Sequence, residues 1–184
     1  MSATSRFLLD PAPDGLFLVQ DLVNTSPVPA YAVRDLLHTV ADARRWVGTV
    51  RSSPAVGATP GRITSPDLAS LRALREEVVA VLAGRPIPPR VVSTEVAVGP
   101  DGRARLSPVG RGVDWLTSAV WGEVLLAQHD GRWARLKVCR NPVCPCAFYD
   151  GSRNNSRVWH DVRTCGNAAN LRASRARRRA AAGT

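Results

Sequence analysis

The chain has 184 residues, 45% of them hydrophobic, and a formal net charge of +10. The hydrophobic content supports a packed core in at least part of the chain. No run approaches eighteen consecutive apolar residues, which excludes a membrane-spanning helix and predicts a soluble, cytoplasmic protein.

The positive charge lies at the C-terminal end. Residues 1–130 hold 13 arginines and 13 acidic residues, whereas residues 131–184 hold 11 arginines, one lysine and two aspartates, so the whole excess of +10 lies there. A basic segment of this density is typical of a protein that binds a polyanion. A solvated tail that only keeps the protein soluble would carry the same charge.

In chain order, the first predicted element is the mostly apolar run at residues 15–25, which is compatible with a short buried strand or an early helix. Residues 39–42 resemble a capping box, which predicts a short helix through residue 47 and an end at Gly48. Residues 51–65 are rich in serine, proline, glycine and threonine, and we expect them to form a loop.

The clearest helix spans residues 65–84. Ser65 suits the N-cap, Pro66 the first helical position and Gly84 the stop. Apolar residues recur every three or four positions along this segment, which predicts a helix packed against the core.

A hairpin and a second long helix follow. The segments 91–98 and 103–109 flank a Gly-Pro-Asp-Gly turn, which predicts a β-hairpin. Residues 114–130 have the pattern of an amphipathic helix. Residues 133–139 are typical of a strand, and this strand leads directly into the first cysteine.

The four cysteines all lie in the basic end. Clustered cysteines in the cytoplasm indicate a metal site more than disulfides. The spacing Cys139-x4-Cys144-x15-His160-x4-Cys165 provides two pairs of ligands separated by a loop, and four such ligands suit tetrahedral Zn²⁺ with no open position, a structural site. Cys146 could replace Cys144 as a ligand, because the two are only two residues apart.

Motifs for catalysis are missing from the sequence. A Cys–His pair could serve nucleophilic catalysis, but no glutamate lies within the cluster to act as a general base. The sequence has no HExxH, no glycine-rich phosphate loop and no GxSxG. We therefore expect that the protein is not an enzyme.

The C-terminal residues resemble the CGNR zinc finger. The resemblance is carried by Cys139…Cys144, Phe148-x-Asp150, Ser152-Arg153-Asn154, Arg157-x-Trp159-His160 and Cys165-Gly166-Asn167. In bacterial proteins described as stress-induced transcription regulators, this finger follows an N-terminal ABATE domain. Residues 20–25, Gln-Asp-Leu-Val-Asn-Thr, are similar to the motif with which that domain begins.

The resemblance implies a role for each cysteine. Its ligands correspond to Cys139, Cys144, His160 and Cys165, and its metal is Zn²⁺. The family has a tryptophan where this chain has Cys146, which implies that Cys146 packs and does not coordinate. The family's usual Arg and Lys are replaced here by Ala168 and Asn170, so two cations of the motif are missing.

The predicted fold class is α+β. We expect a mainly helical ABATE-like domain with a small β-hairpin at residues 1–134. A finger of zinc-ribbon or treble-clef type follows at residues 135–173, and residues 174–184 form a basic, disordered tail.

The resemblance implies a transcription regulator that binds DNA through the finger, while the N-terminal domain senses a small-molecule effector or a partner. Asn24 and Thr25 are candidates to line a ligand pocket, although a turn-forming pair is the simpler interpretation. Candidate contacts to phosphates and bases are Arg153, Arg157, Asn167, Asn170, Arg172, Arg175 and Arg179.

Two other classes of function remain open at this point. A zinc protein associated with RNA or the ribosome would use stacking aromatics, for which Phe148, Tyr149 and Trp159 are candidates. These three residues are equally suited to the small core of a finger. In the third class the protein is an interaction module, and its basic tail binds no nucleic acid.

Overall fold

The computed structural model describes residues 2–51 and 61–182, and the predicted loop at residues 51–65 falls mostly outside them. The described residues form five α-helices and two antiparallel hairpins, which confirms the α+β class. The helices are α1 Leu16–Val23, α2 Val40–Arg51, α3 Ser65–Leu82, α4 Val113–His129 and α5 Asn167–Ala182. The strands are β1 Thr94–Val98, β2 Ala104–Pro108, β3 Leu136–Val138 and β4 Ala147–Tyr149. None of the helices is both long and apolar enough to cross a membrane in the part of the chain described.

Helix α1 is the centre of the core. The apolar run at residues 15–25 is a helix and not a strand, and every residue of α1 except Phe17 is buried. It packs against α3, α4 and β4. The helix has only eight residues and no exposed polar face, which explains why its sequence was compatible with either a helix or a strand.

Helix α2 extends beyond its predicted end. The side chain of Thr39 accepts a hydrogen bond from the Asp42 amide at 3.1 Å, as a capping residue does. The helix then continues through Gly48 to Arg51. Trp46, on one side of the glycine, and Val50, on the other, are both buried, so packing continues the helix past Gly48.

The N-cap of helix α3 lies one residue before the predicted one. Its N-cap is Thr64 and not Ser65, because Asp67 lies three residues after Thr64 and accepts the Thr64 amide at 2.7 Å to close a capping box. The helix ends at Leu82, and Gly84 adopts a φ of 69°, the left-handed conformation expected after a helix.

The two hairpins have different surroundings. Strands β1 and β2 pair from Thr94↔Pro108 to Val98↔Ala104, and α4 packs against them. Strands β3 and β4 have only three residues each. One residue of each strand, Leu136 in β3 and Ala147 in β4, belongs to the main hydrophobic core. The second hairpin, which begins the finger, therefore shares its core with the N-terminal helices.

The C-terminal tail differs from the prediction. Residues 174–182 are the continuation of α5 and not a disordered tail. Alanine and arginine, which dominate this segment, have high helix propensity, and the helix is already nucleated by the finger. Residues 183–184 lie outside the described part.

Polar residues in α1 and just after its end attach the finger to the helical domain. The Asn24 side chain accepts from the Ala147 amide at 2.8 Å and donates to the Ala147 carbonyl at 3.0 Å. Its amide nitrogen also donates to Thr4 Oγ1 at 3.2 Å. Gln20 reaches the same carbonyl at 3.4 Å and accepts the Ala12 amide at 2.6 Å. The outer edge of β4 is thus paired with side chains rather than with another strand.

Asp21 attaches the N-terminal segment to the same helix. Its buried carboxylate accepts the amides of Ala3 and Thr4, and the indole N–H of Trp46 at 2.9 Å. The 3-10 helix Thr4–Phe7 is thereby held over the finger. Successive polar residues of α1 therefore connect the N-terminal segment, α2 and the finger.

We predict that Asn24→Ala lowers the free energy of unfolding by about 2–3 kcal/mol, because the buried amide and carbonyl of Ala147 lose their main partner. Urea denaturation of the full chain measures this change. The matched control is Asn154→Ala, at an exposed position of the finger, and we expect a change within about 0.5 kcal/mol. Equal effects of the two substitutions would contradict the docking role of Asn24.

A candidate metal centre and the basic helix beside it

Four potential metal ligands meet in one buried cluster. The ligand atoms of Cys139, Cys144, His160 and Cys165 lie within 4.8 Å of one another, and all four residues are buried. Cys144 Sγ is 3.6 Å from His160 Nδ1. A tetrahedral ion with typical metal–sulfur and metal–nitrogen bonds separates its sulfur and nitrogen ligands by roughly 3.5 Å. The structure therefore brings together the four residues predicted as ligands, at a spacing that suits one ion.

Local main-chain structure sets the positions of the ligands. The Cys139 amide donates to the Cys146 carbonyl at 2.9 Å and extends the β3–β4 hairpin. The Cys144 amide donates to the Asn141 carbonyl and closes a tight turn. The second pair is placed by Asp161, whose side chain accepts the amides of Arg163 and Thr164 and caps a π-helical turn that contains Cys165. Each pair of ligands thus comes from its own turn.

Protons and a cation compete for these sulfur atoms. The Cys139 thiol donates to Cys144, and this bond together with burial raises the pKa of Cys139 to about 11. The same bond lowers the pKa of Cys144, but a hydrogen bond with Cys146 and burial outweigh it and raise that pKa to about 12. Thiolates gathered here need a positive charge among them, which a divalent cation supplies.

Cys146 does not belong to the group of mutually close ligand atoms. It is buried, its thiol donates to the Ala147 carbonyl at 3.6 Å, and it joins the other cysteines in a small apolar cluster. Phe7, Leu9 and Trp159 pack around that cluster. The position of Cys146 agrees with the packing role that the family resemblance implied.

Asn141 is a residue of the candidate site that sequence reasoning missed. Its side chain is buried, and its amide nitrogen donates to Cys165 Sγ at 3.1 Å and to the Tyr31 hydroxyl at 3.2 Å. Its carbonyl oxygen accepts a hydrogen bond from the Arg172 guanidinium. Hydrogen bonds of this kind orient metal ligands and stabilise their charge. The only signal in the sequence was its place between Cys139 and Cys144.

Residues of the N-terminal domain complete the surroundings of the cluster. The Tyr31 hydroxyl lies 3.9 Å from Cys165 Sγ, and the ring of Phe7 meets that of His160 edge-on, with centroids 6.0 Å apart. Both residues are far from the finger in sequence. The cluster is therefore covered by the helical domain and is not a separate module.

Asp150 organises the loop between β4 and His160. It is completely buried and accepts hydrogen bonds from Lys137 Nζ at 2.8 Å, from Ser152 and from the Arg157 amide. Burial alone would raise the pKa of Asp150, but the Lys137 ammonium and these hydrogen bonds outweigh it and hold the pKa far below its usual range. Asp150 is thus ionised at neutral pH, and it sets the shape of the loop.

The predicted nucleic-acid residues fall into two groups. Arg153 and Arg157 lie on the loop after β4, where Arg157 is placed over the Phe148 ring and donates to the His160 carbonyl at 2.9 Å. The second group lies on α5 and is exposed. Its members are Asn167, Asn170, Arg172, Arg175 and Arg179.

Three of the five arginines of α5 share one side of the helix. Arg172, Arg175 and Arg179 are spaced by three and four residues, which places them on the same face. Arg172 is held against Asn141, whereas Arg175 and Arg179 form no hydrogen bond or ion pair among the described residues. Two cations of this face are therefore free to meet an anionic partner.

The structure gives Asn24 and Thr25 different surroundings from those of a ligand pocket. The amide of Asn24 is occupied by Ala147 and Thr4. The Thr25 hydroxyl donates to the Leu22 carbonyl at 2.6 Å and accepts from Arg75 at 3.2 Å. Both side chains are buried and act in the docking of the finger and in the packing of α1 on α3.

Fold and site together define a helical domain joined to a metal-binding finger with three cysteines and one histidine. Residues 135–178 match the family model of the CGNR zinc finger, and residues 17–138 match the ABATE model, described as "Putative stress-induced transcription regulator". Because the second match covers more than half of the chain, the chain belongs to the ABATE family and carries a CGNR zinc finger. Among curated proteins, none is similar enough to count as a match.

We predict that Cys144→Ser loses the bound metal and unfolds the finger, because a ligand of a structural site is removed. Cys146→Ser should keep a full equivalent of metal, since its sulfur packs beside the site. Metal analysis of the two purified variants measures the difference. Equal loss of metal from both would show that the assignment of ligands is wrong.

We also predict that Asp150→Asn destabilises the full chain by about 3 kcal/mol at neutral pH, because it leaves the Lys137 ammonium without its buried counter-charge. The folded-state pKa of Asp150 is depressed, so its contribution is complete above pH 4 or so and declines only as the pH falls towards that depressed pKa. Urea denaturation at pH 7 is therefore the suitable measurement. Asp101→Asn, at an exposed turn, is the control that should leave stability unchanged.

Proposed function

We propose that this protein is a Zn²⁺-containing transcription regulator that acts in the cytoplasm, binds duplex DNA through α5 and the adjoining loop, and has no enzymatic activity. The observation that carries the proposal is the position of α5. The helix follows Cys165 after a single residue, and it presents a row of exposed arginines. A structural metal site would fix this helix, and its arginines would neutralise phosphates.

The chemistry of the donors supports Zn²⁺. Three thiolates and one imidazole are soft and borderline ligands, a set that suits zinc and does not suit magnesium or calcium. Four protein ligands fill a tetrahedral shell, which supports a structural role and not a catalytic one. Cys139, Cys144, His160 and Cys165 would hold the ion, and the ion would supply the folding energy that a module with three-residue strands lacks.

The aromatic residues of the finger support DNA over single-stranded RNA. Stacking on unpaired bases requires exposed rings. Phe148 is fully buried beneath Arg157, and Tyr149 and Trp159 are packed against the hydrophobic clusters of the protein. The cationic face of α5, in contrast, is exposed. Phosphate contacts from a helix are therefore the interaction that the finger is best built to make.

Two cations of the family motif are missing, which reduces the number of side chains available to contact DNA. Ala168 and Asn170 stand where the family has Arg and usually Lys, close to the start of α5. The cations of the helix lie after both positions, at Arg172, Arg175, Arg177, Arg178 and Arg179. We infer that the DNA contact moves towards the C-terminal half of the helix.

The experiment is DNA binding by the full, zinc-loaded chain as a function of salt. Substituting Arg175 and Arg179 together by alanine keeps the helix and removes two free cations. We expect weaker binding to duplex DNA and a log–log salt slope that is shallower by about 2 if both contact phosphates. Arg172 is left intact, because its bond to Asn141 would mix DNA contact with damage to the metal site.

The matched control removes two exposed arginines elsewhere, Arg85 and Arg103, which lowers the net charge equally. We expect this control to keep the wild-type salt slope. If the variant that lacks Arg175 and Arg179 also keeps the wild-type salt slope, α5 does not contact phosphates and the assignment fails. Tighter binding to single-stranded RNA than to duplex DNA would favour an RNA-associated protein, and no binding to either would favour an interaction module.

A further inference from the structure

The helical domain contains a cavity of about 410 Å³ between α1, α4 and β2. A volume of this order accommodates a small organic molecule. Apolar side chains, among them Phe17, Leu106 and Trp115, form much of its wall. None of the residues predicted from sequence as ligand-binding lies in that wall.

Two glycines make room in this cavity. Gly15 lies directly against Glu123, and a Cβ at position 15 would fall only 2.0–2.3 Å from the atoms of the carboxylate. Gly122 faces Leu106 of β2, with 3.5 Å between a Cβ at that position and the leucine methyl. The first glycine thus allows the carboxylate of Glu123 to occupy the wall of the cavity beside α1.

Glu123 has no partner for its charge. It is half-buried, and no hydrogen bond or ion pair reaches its carboxylate from the residues that the structure describes. Burial raises its pKa, Arg132 opposes this, and Asp14 and Asp130 add to the increase. Arg132, the nearby cation, is already bound to Asp130 at 2.6 Å and to Asp14 at 2.8 Å. Arg105 also lines the cavity, but no hydrogen bond or ion pair joins it to Glu123 among the described residues. The charges that act on the pKa of Glu123 itself are one cation, Arg132, and two anions, Asp14 and Asp130.

We propose that this cavity is a binding site for a small organic cation, an amine with an apolar or aromatic body. Glu123 receives the ammonium group, and Phe17, Leu106 and Trp115 surround the apolar part. A desolvated carboxylate without a partner gains more from a cation than from a neutral group, and aromatic rings add attraction for the same charge. An anionic ligand would meet Glu123 as a like charge.

The position of α1 connects this cavity to the finger. Phe17 and Leu18, near the start of α1, line the cavity, and Asn24 follows its end and holds β4 of the finger. Occupation of the cavity is thus linked to finger placement through one short, buried helix. The claim that the bound amine regulates DNA binding rests on the proposed function. The claim that the cavity binds an amine does not depend on it.

The binding test uses benzylammonium as the probe and benzyl alcohol as its uncharged counterpart, with the full zinc-loaded chain and no DNA. Ligand-detected NMR titration measures both affinities. Glu123→Gln keeps the shape of the side chain and removes its charge. It should weaken the affinity for benzylammonium at least about tenfold and leave the affinity for benzyl alcohol unchanged. Glu95→Gln, exposed on β1 and outside the cavity wall, removes one charge elsewhere and should leave both affinities unchanged.

Each outcome decides a separate point. Equal benzylammonium affinity in wild type and Glu123→Gln would overturn the role of the carboxylate, and no binding of either probe would overturn the site. A second measurement adds saturating benzylammonium to the DNA titration and compares wild type with Glu123→Gln. A shift of DNA affinity in the wild type alone supports an effector site. If the chain binds the amine but not DNA, the cavity stands and the proposed function fails.

Discussion

The constraint on which the structure depends is that the finger cannot bury a core of its own. Its two strands have three residues each, and its small apolar cluster consists mainly of cysteines. Few apolar contacts leave little free energy to offset the lost conformational entropy. Two external supports can make up the difference: a metal ion, for which four buried potential ligands lie close together, and the side chains at the end of α1 that pair with Ala147.

These two supports are physically connected. Asn141 donates to the sulfur of Cys165 and to the hydroxyl of Tyr31, and it accepts from Arg172 of α5. One buried amide therefore joins the helical domain, the metal ligand and the basic helix. Tyr31 of the helical domain is thus separated by only two hydrogen bonds from Arg172 near the base of α5. A contiguous hydrogen-bond network of this kind is one of the physical connections through which two parts of a protein can be coupled.

The sequence predicted the elements and ligands that depend on local patterns, and it failed where tertiary packing decides. The spacing of Cys139, Cys144, His160 and Cys165 is a local pattern, and the structure gathers these four residues. Helix α1 was ambiguous because it is short and buried on nearly all sides, and α2 passed its expected end because packing outweighs one glycine. The bonds of Asn141 and the isolated carboxylate of Glu123 depend on segments distant in sequence, and no local pattern shows them.

Helix α1 gives a physical reason why the motif at residues 20–25 is polar inside an apolar run. Gln20, Asp21, Asn24 and Thr25 are all buried, which costs free energy unless each finds partners. Each of them does, and the partners lie on the N-terminal segment, α2, α3 and β4. Apolar residues at these positions would bury equally well but would not fix which edge of the finger docks or how the N-terminal segment covers it. The buried polar groups thus specify one arrangement of the two halves, the arrangement that holds the cavity at one end of α1 and the finger at the other.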